Sequence, residues 1–125
     1  MNDKAKINKV FKNLRKQGYF VRQSFWCCQT CGCAAVPPDH ENRYVFYHKQ
    51  DREVLDKNGN ITMKFGGVLN LAWAGSGSQI SKAIKDEGLR VRWSGTEDKR
   101  IGIVGQEMPD DVYLKLCNRS NERCI

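Results

Sequence analysis

The hydrophobic pattern of the first eighteen residues has the period of an amphipathic helix. Its apolar positions follow the i, i+3, i+4, i+7 spacing: Ile7, Val10, Phe11 and Leu14. Lys9, Lys12 and Lys16 fall on the opposite face, and Gly18 is a typical helix stop. The pattern therefore predicts an N-terminal helix with an apolar stripe against the body and a basic face toward solvent.

The period then changes to two, which is typical of half-buried strands. Six stretches alternate in this way or are short and apolar: 19–26, 43–49, 61–65, 68–73, 89–93 and 101–104. Asn58-Gly59 is a two-residue hairpin signal just before the third stretch. A second helix is predicted after Gly75-Ser76-Gly77-Ser78, where Ser76 and Gln79 have capping-box spacing and Gly88 marks the end. Residues 110–118 fit either a short helix or a strand, and Asp110 and Asp111 directly after Pro109 favour a helix start.

These elements predict an α+β fold, a mostly antiparallel sheet with helices packed on it. The length of 125 residues suits one domain, divided into a basic helix (1–18), a body with the cysteine cluster (19–109) and a C-terminal tail (110–125). With 40% hydrophobic and 28% charged residues, the composition is globular and excludes a largely disordered chain. No apolar run is long enough for a membrane span, and the N-terminus lacks an apolar signal core, so we expect a cytoplasmic protein.

The positive charge is concentrated at the N-terminus. Of the formal charge of +7, residues 1–22 carry +6 and residues 23–125 only +1. Such asymmetry is typical of proteins that meet an anionic partner. The candidate anion-binding residues are Lys9, Lys12, Arg15 and Lys16. A solvated lysine face without a ligand, and a membrane surface as the anion, remain the alternatives.

Four of the six cysteines lie within seven residues, and Cys28-Gln29-Thr30-Cys31-Gly32 has the form of a metal knuckle. In such a knuckle a tight turn directs two thiolates to one point, and the glycine permits the positive φ that the turn often needs. Two thiolates do not complete a tetrahedral zinc site, so we expect Cys33 and His48 to supply further ligands. Cys27 is an alternative ligand, and Asp51 could orient the imidazole of His48. Ordinary reduced thiols and a thiol-redox pair are the competing interpretations. The role of Cys117 and Cys124 stays open.

Two of these segments together resemble a known family. Residues 25–32 (FWCCQTCG) and 44–51 (YVFYHKQD) are similar to small bacterial and phage proteins of unknown function that share a Cys-Cys-x-x-Cys-Gly knuckle and a Phe-Tyr-His-x-Gln-Asp strand. The strand, loop and helix of 68–88 and the turn at 93–96 fit as well, so the resemblance covers roughly residues 5–104. It implies one local group: Cys27, Cys28, Cys31, His48, Gln50 and Asp51. It implies no activity.

Two further motifs are weaker. The Gly75-Ser76-Gly77 loop could hold an anion at the start of a helix, but it lacks the remaining residues of a dinucleotide or phosphate loop, and a plain strand-to-helix turn explains it. Aromatic and basic residues of the strands could form a platform for single-stranded nucleic acid: Tyr44, Tyr47, Arg90, Arg92 and Trp93. The alternative, that most of these rings belong to the core of so small a domain, is favoured.

The sequence as a whole favours a small binding protein, with a structural zinc knuckle and a basic helix that contacts a polyanion such as nucleic acid. A protein–protein interaction factor is the first alternative. An enzyme that uses a thiol for redox or nucleophilic chemistry is the second, and no catalytic residues are assigned.

Overall fold

The computed structural model describes residues 2–26, 29–96 and 99–119. Four helices are present in this part of the chain: α1 (Asp3–Lys16), α2 (Gln29–Ala35), α3 (Gly77–Asp86) and α4 (Asp110–Arg119). Five strands form one sheet: β1 (Phe20–Arg22), β2 (Tyr44–Phe46), β3 (Val68–Ala74), β4 (Arg90–Arg92) and β5 (Ile101–Val104). Their order is β1-β2-β3-β5-β4, and only the β1–β2 pair is parallel. The predicted α+β class is confirmed.

Helix α1 is held by its apolar stripe and by both of its ends. Asn2 caps the first turn, where its side-chain oxygen accepts a hydrogen bond from the Ala5 amide at 2.8 Å. Gly18 takes a φ of +95°, which ends the helix in the left-handed conformation that glycine adopts without strain. The four stripe residues have no solvent exposure: Ile7, Val10, Phe11 and Leu14. Burying side chains of this size contributes about 1.5–3 kcal/mol each, so the stripe fixes α1 on the sheet.

The main core lies between one face of the sheet and helices α1 and α3. Inward-facing strand residues from all five strands meet the helices there, among them Val21, Val45, Leu71, Val91 and Ile103. Met108 and Tyr113 form a smaller cluster with Val68 and Val104, which joins α4 to the sheet. No helix in the described residues is long and apolar enough to cross a membrane.

The cysteine segment forms a helix where the sequence predicted a knuckle turn. Residues 29–35 are helical in α2, and the glycine of the predicted turn, Gly32, does not have a positive φ. A Cβ at Gly32 would lie 2.5 Å from the ring of Phe46, so glycine is required there because α2 packs directly on β2. The prediction of a turn was wrong because this tertiary contact, rather than a turn, explains the glycine.

Three predicted strands are shorter than expected or absent, and β2 covers only Tyr44–Phe46 of the predicted 43–49. β1 ends at Arg22, and Ser24 and Trp26 adopt positive φ values of 51° and 61°, which breaks the alternation predicted to continue to residue 26. The hairpin turn at Asn58-Gly59 is followed by a single bridge between Leu55 and Ile61 and then by a 3₁₀ turn, not by a strand at 61–65. The 3₁₀ turn occupies Met63–Phe65 and ends at Gly66, which has a φ of +98°.

Candidate functional site

The lysine face of α1, defined as Lys9, Lys12 and Lys16, is open to solvent along its whole length. None of the three ammonium groups makes an ion pair or hydrogen bond within the described residues. The acidic residue of the same helix, Asp3, is fully buried and points away from this face. The lysine face therefore presents three uncompensated positive charges on a rigid element.

Arg15 was predicted to belong with these lysines, and it is exposed as they are. Its guanidinium also donates a hydrogen bond to the Val21 carbonyl at 3.1 Å. This contact covers an outer carbonyl of the edge strand β1, which would otherwise be open to pairing. Arg15 therefore has a structural role beside β1, and only part of its hydrogen-bonding capacity remains for a ligand.

Gly77 and Ser76 begin α3 as an ordinary strand-to-helix turn. The Ser76 hydroxyl accepts from the Gln79 amide at 3.2 Å, which is half of the predicted capping box. The other half is replaced, because the Ser76 amide donates to the Tyr19 hydroxyl at 3.0 Å and that hydroxyl donates to the Gln79 side chain at 2.9 Å. Trp93 packs against Gly77 so closely that a Cβ there would lie 2.3 Å from the indole.

The predicted aromatic platform does not form a continuous surface. Tyr47 and Trp93 belong to the main core. Arg90 contacts α4, where its guanidinium pairs with Asp110 at 3.0 Å and lies over the ring of Tyr113. The alternative interpretation, in which these rings belong to the core, holds for Tyr47 and Trp93.

His48 is buried beside Asp51, and both of its ring nitrogens are used within the chain. Nδ1 accepts a hydrogen bond from the Asp51 amide at 3.2 Å, so the ring proton belongs on Nε2, which lies 3.1 Å from the Asp51 carboxylate. The Arg100 guanidinium pairs with the same oxygen of that carboxylate, Oδ2, and donates to the Asn70 carbonyl at 3.0 Å. This network ties the 3₁₀ turn at Asp51–Val54 to β3 and to the start of β5.

The predicted metal ligands are only partly placed. Cys31 is exposed on α2, and the Cys33 sulfur lies 3.6 Å from the Tyr44 hydroxyl. Cys27, Cys28, Cys124 and the side chain of Cys117 lie outside the described residues. Among the residues that are described, no group of three or more His, Cys, Asp or Glu side chains could hold a metal. The zinc knuckle therefore stays a prediction, and His48 would have to give up an internal hydrogen bond to join it.

Burial raises the pKa of Tyr44 to about 12, and its hydrogen bond and charge interaction with Cys33 act in the same direction. The pair joins α2 to β2 on the face of the sheet opposite α1. The sequence showed both residues but gave no sign that they would meet, because eleven positions of irregular chain separate them.

Comparison with known proteins supports a family assignment. Searches against curated proteins and against solved structures found no match. The resemblance expected from residues 25–32 and 44–51 was to a family of unknown function, and at that level it is confirmed. The cysteine motif as a family feature, and a bacterial or phage origin, stay predictions. The model of a domain of unknown function, DUF6891, matches residues 1–107, and the chain therefore belongs to that family.

Proposed function

We propose that the protein binds nucleic acid through the lysine face of α1. The observation that carries the proposal is the exposure of Lys9, Lys12 and Lys16 on one helix face without any ion pair in the described part of the chain. The body of the protein is nearly neutral, so the field of the molecule directs an anion to this helix.

The spacing of the lysine face suits a phosphate backbone. Lys9 and Lys16 are seven residues apart, which places them roughly 10 Å apart along a helix axis. That distance spans about three base steps of a duplex strand. Lysine contacts phosphate as a point charge, and contacts to phosphate carry no direct sequence information, so we expect affinity with little sequence preference.

The burial of α1 favours nucleic acid over a membrane surface. An interfacial membrane helix must insert its apolar side among the lipids. In this protein the apolar side of α1 is not available to lipids, because its residues are fully buried against the sheet: Ile7, Val10, Phe11 and Leu14. Only the charged face remains available, and it carries no exposed aromatic anchor.

The test is the triple variant K9Q/K12Q/K16Q, measured by fluorescence anisotropy on single-stranded and duplex oligonucleotides over a range of salt. We expect wild-type affinity to fall steeply with salt, and the slope of log K against log salt to become shallower by about 2–3 in the variant. The matched control is K64Q/K85Q/K115Q, which removes the same charge from three other exposed lysines.

Equal losses in the two triple variants would show a general charge effect and would refute the assignment to α1. Absence of wild-type binding at low salt would refute the nucleic-acid proposal itself. In that case, salt-resistant capture of the intact protein by a protein partner would favour the alternative of an interaction factor.

A further inference from the structure

We propose that the protein has a second anion site, separate from the lysine face, that takes the phosphate group of a phosphomonoester. The site is a cavity of about 390 Å³ at the carboxyl ends of the parallel strands β1 and β2. Its size is within the range of small-ligand pockets. Ligands of open sheets commonly bind where parallel strands end. The residues that carry the argument are Lys4, Ser24, Arg52, Asp56 and Lys57.

The charge of the cavity lining favours an anion. Lys4, Arg52 and Lys57 supply three positive charges, and Asp56 supplies one negative charge. The side chains of Arg52 and Lys57 have no ion pair within the described residues. A net charge of +2 matches a phosphate dianion, and guanidinium and ammonium groups are its usual partners.

Lys4 is held in place by neutral groups, so its charge is not cancelled. Its ammonium donates to the Gln23 side chain at 2.5 Å and to the Tyr47 hydroxyl at 2.7 Å. The single acid of the lining is already occupied, because one oxygen of Asp56 accepts from the amides of Asn58 and Asn60 at 2.9 and 3.0 Å. Its carboxylate thus stabilises the hairpin turn.

Two other cavities of similar volume lack this excess of positive charge. One of about 380 Å³ is lined by Asn2, Asn60, Gln106 and Glu107, which carry a net negative charge. Another, of about 320 Å³ beside α3, contains Lys82 and Asp86, which pair with each other at 2.8 Å. The cationic lining is therefore a local feature and not a general consequence of a basic protein.

The elements that line the cavity are held by specific contacts. Arg52 belongs to the 3₁₀ turn that the carboxylate of Asp51 ties to His48 and Arg100. Ser24 has a φ of +51°, which is costly for a residue other than glycine. The hydrogen bond from the Phe25 amide to the Tyr47 carbonyl, at 2.9 Å, holds the loop around Ser24 in this conformation. Strain of this kind is concentrated at ligand sites.

The test is a titration of the full chain with phenyl phosphate, followed by amide chemical shifts in nuclear magnetic resonance. We expect saturable shifts at Ser24, Arg52 and Lys57. The variant R52Q/K57Q should weaken binding at least about tenfold, since it removes two charge-assisted partners. Both side chains are exposed, so the amide spectrum of the variant should otherwise stay that of a folded protein.

The variant K9Q/K12Q/K16Q is the control, and it should keep the affinity for phenyl phosphate unchanged. An equal loss in this control, shifts located elsewhere, or no saturation would overturn the proposal. Failure of nucleic-acid binding at α1 would leave these results unaffected, so the two proposals fail separately.

A second comparison distinguishes the source of the phosphate. If an oligonucleotide with a 5′-phosphate binds better than its 5′-hydroxyl form, and R52Q/K57Q removes the difference, the site takes a strand end. If the two oligonucleotides bind alike while phenyl phosphate still saturates the cavity, the site takes a small phosphomonoester. Both results support the site.

Discussion

A single buried carboxylate, that of Asp3, joins three separated parts of the chain. It accepts hydrogen bonds from the Ile61 amide at 2.8 Å and from the Gln106 side chain at 2.7 Å. Asp3 has no solvent exposure and also begins α1, where a negative charge near the first amides is favourable. Asp3 therefore links the start of α1 to the hairpin at Ile61 and to the loop at Gln106.

We expect D3N to lower the free energy of unfolding by about 1–3 kcal/mol. The side-chain amide of asparagine would place a hydrogen-bond donor against the donors of Ile61 and Gln106, and one of these would lose its acceptor. Urea denaturation followed by circular dichroism measures the change. The control is D39N, which alters an exposed aspartate. If both variants lost the same small amount, Asp3 would not have this linking role.

At the scale of elements, the docking of α3 depends on a close approach to the indole of Trp93. Trp93 packs edge to face against Trp73, with ring centroids 5.6 Å apart, and fills the space next to Gly77. The Trp93 ring nitrogen donates to the Thr96 carbonyl at 3.0 Å, so the ring cannot shift without losing a hydrogen bond. The first turn of α3 therefore fits the sheet only with glycine at position 77.

We expect G77A to destabilise the protein by about 1–3 kcal/mol, because the methyl group overpacks a rigid contact. Alanine is otherwise the better helix former, so helix propensity alone predicts the opposite sign. Thermal unfolding of G77A and of the exposed control S78A separates the two effects. A more stable G77A protein would show that Trp93 can move.

At the scale of the whole molecule, folding keeps two tyrosines protonated at alkaline pH. Burial raises the pKa of Tyr113, whose hydroxyl donates to the Val91 carbonyl, and the nearby Arg90 lowers it in part. Burial and Cys33 raise the pKa of Tyr44 to about 12. Since the unfolded chain ionises tyrosine near pH 10, both groups stabilise the fold fully below that pH and less above it.

We expect the free energy of unfolding to fall as pH rises from about 10 toward 12, and Y44F to reduce that fall. The share of Tyr44 should be below about 1 kcal/mol, because solvent beside the half-exposed ring screens the effect. Urea titrations at pH 9 and pH 11 measure the difference between wild type and Y44F. A fall just as steep in Y44F would contradict the role of Tyr44.

The elements whose formation depends on local free energies could be predicted from the amino-acid sequence. The apolar stripe and Gly18 predicted α1, the Ser76 cap predicted α3, and alternation or an apolar run predicted β3, β4 and β5. The concentration of charge at the N-terminus, on which the proposed function rests, is also a property of the sequence alone. Each of these signals depends only on residues that are close together in the sequence.

The way in which the elements combine depends on contacts between residues that are distant in the sequence. Asp3 and Gln106 are 103 positions apart, and no local pattern indicates that they bond. The same holds for the parallel pairing of β1 with β2, for Gly32 against Phe46 and for the cavity that contains Arg52. Strand order and the burial of polar side chains follow from contacts between distant segments, whose free energies appear only when the whole chain is packed.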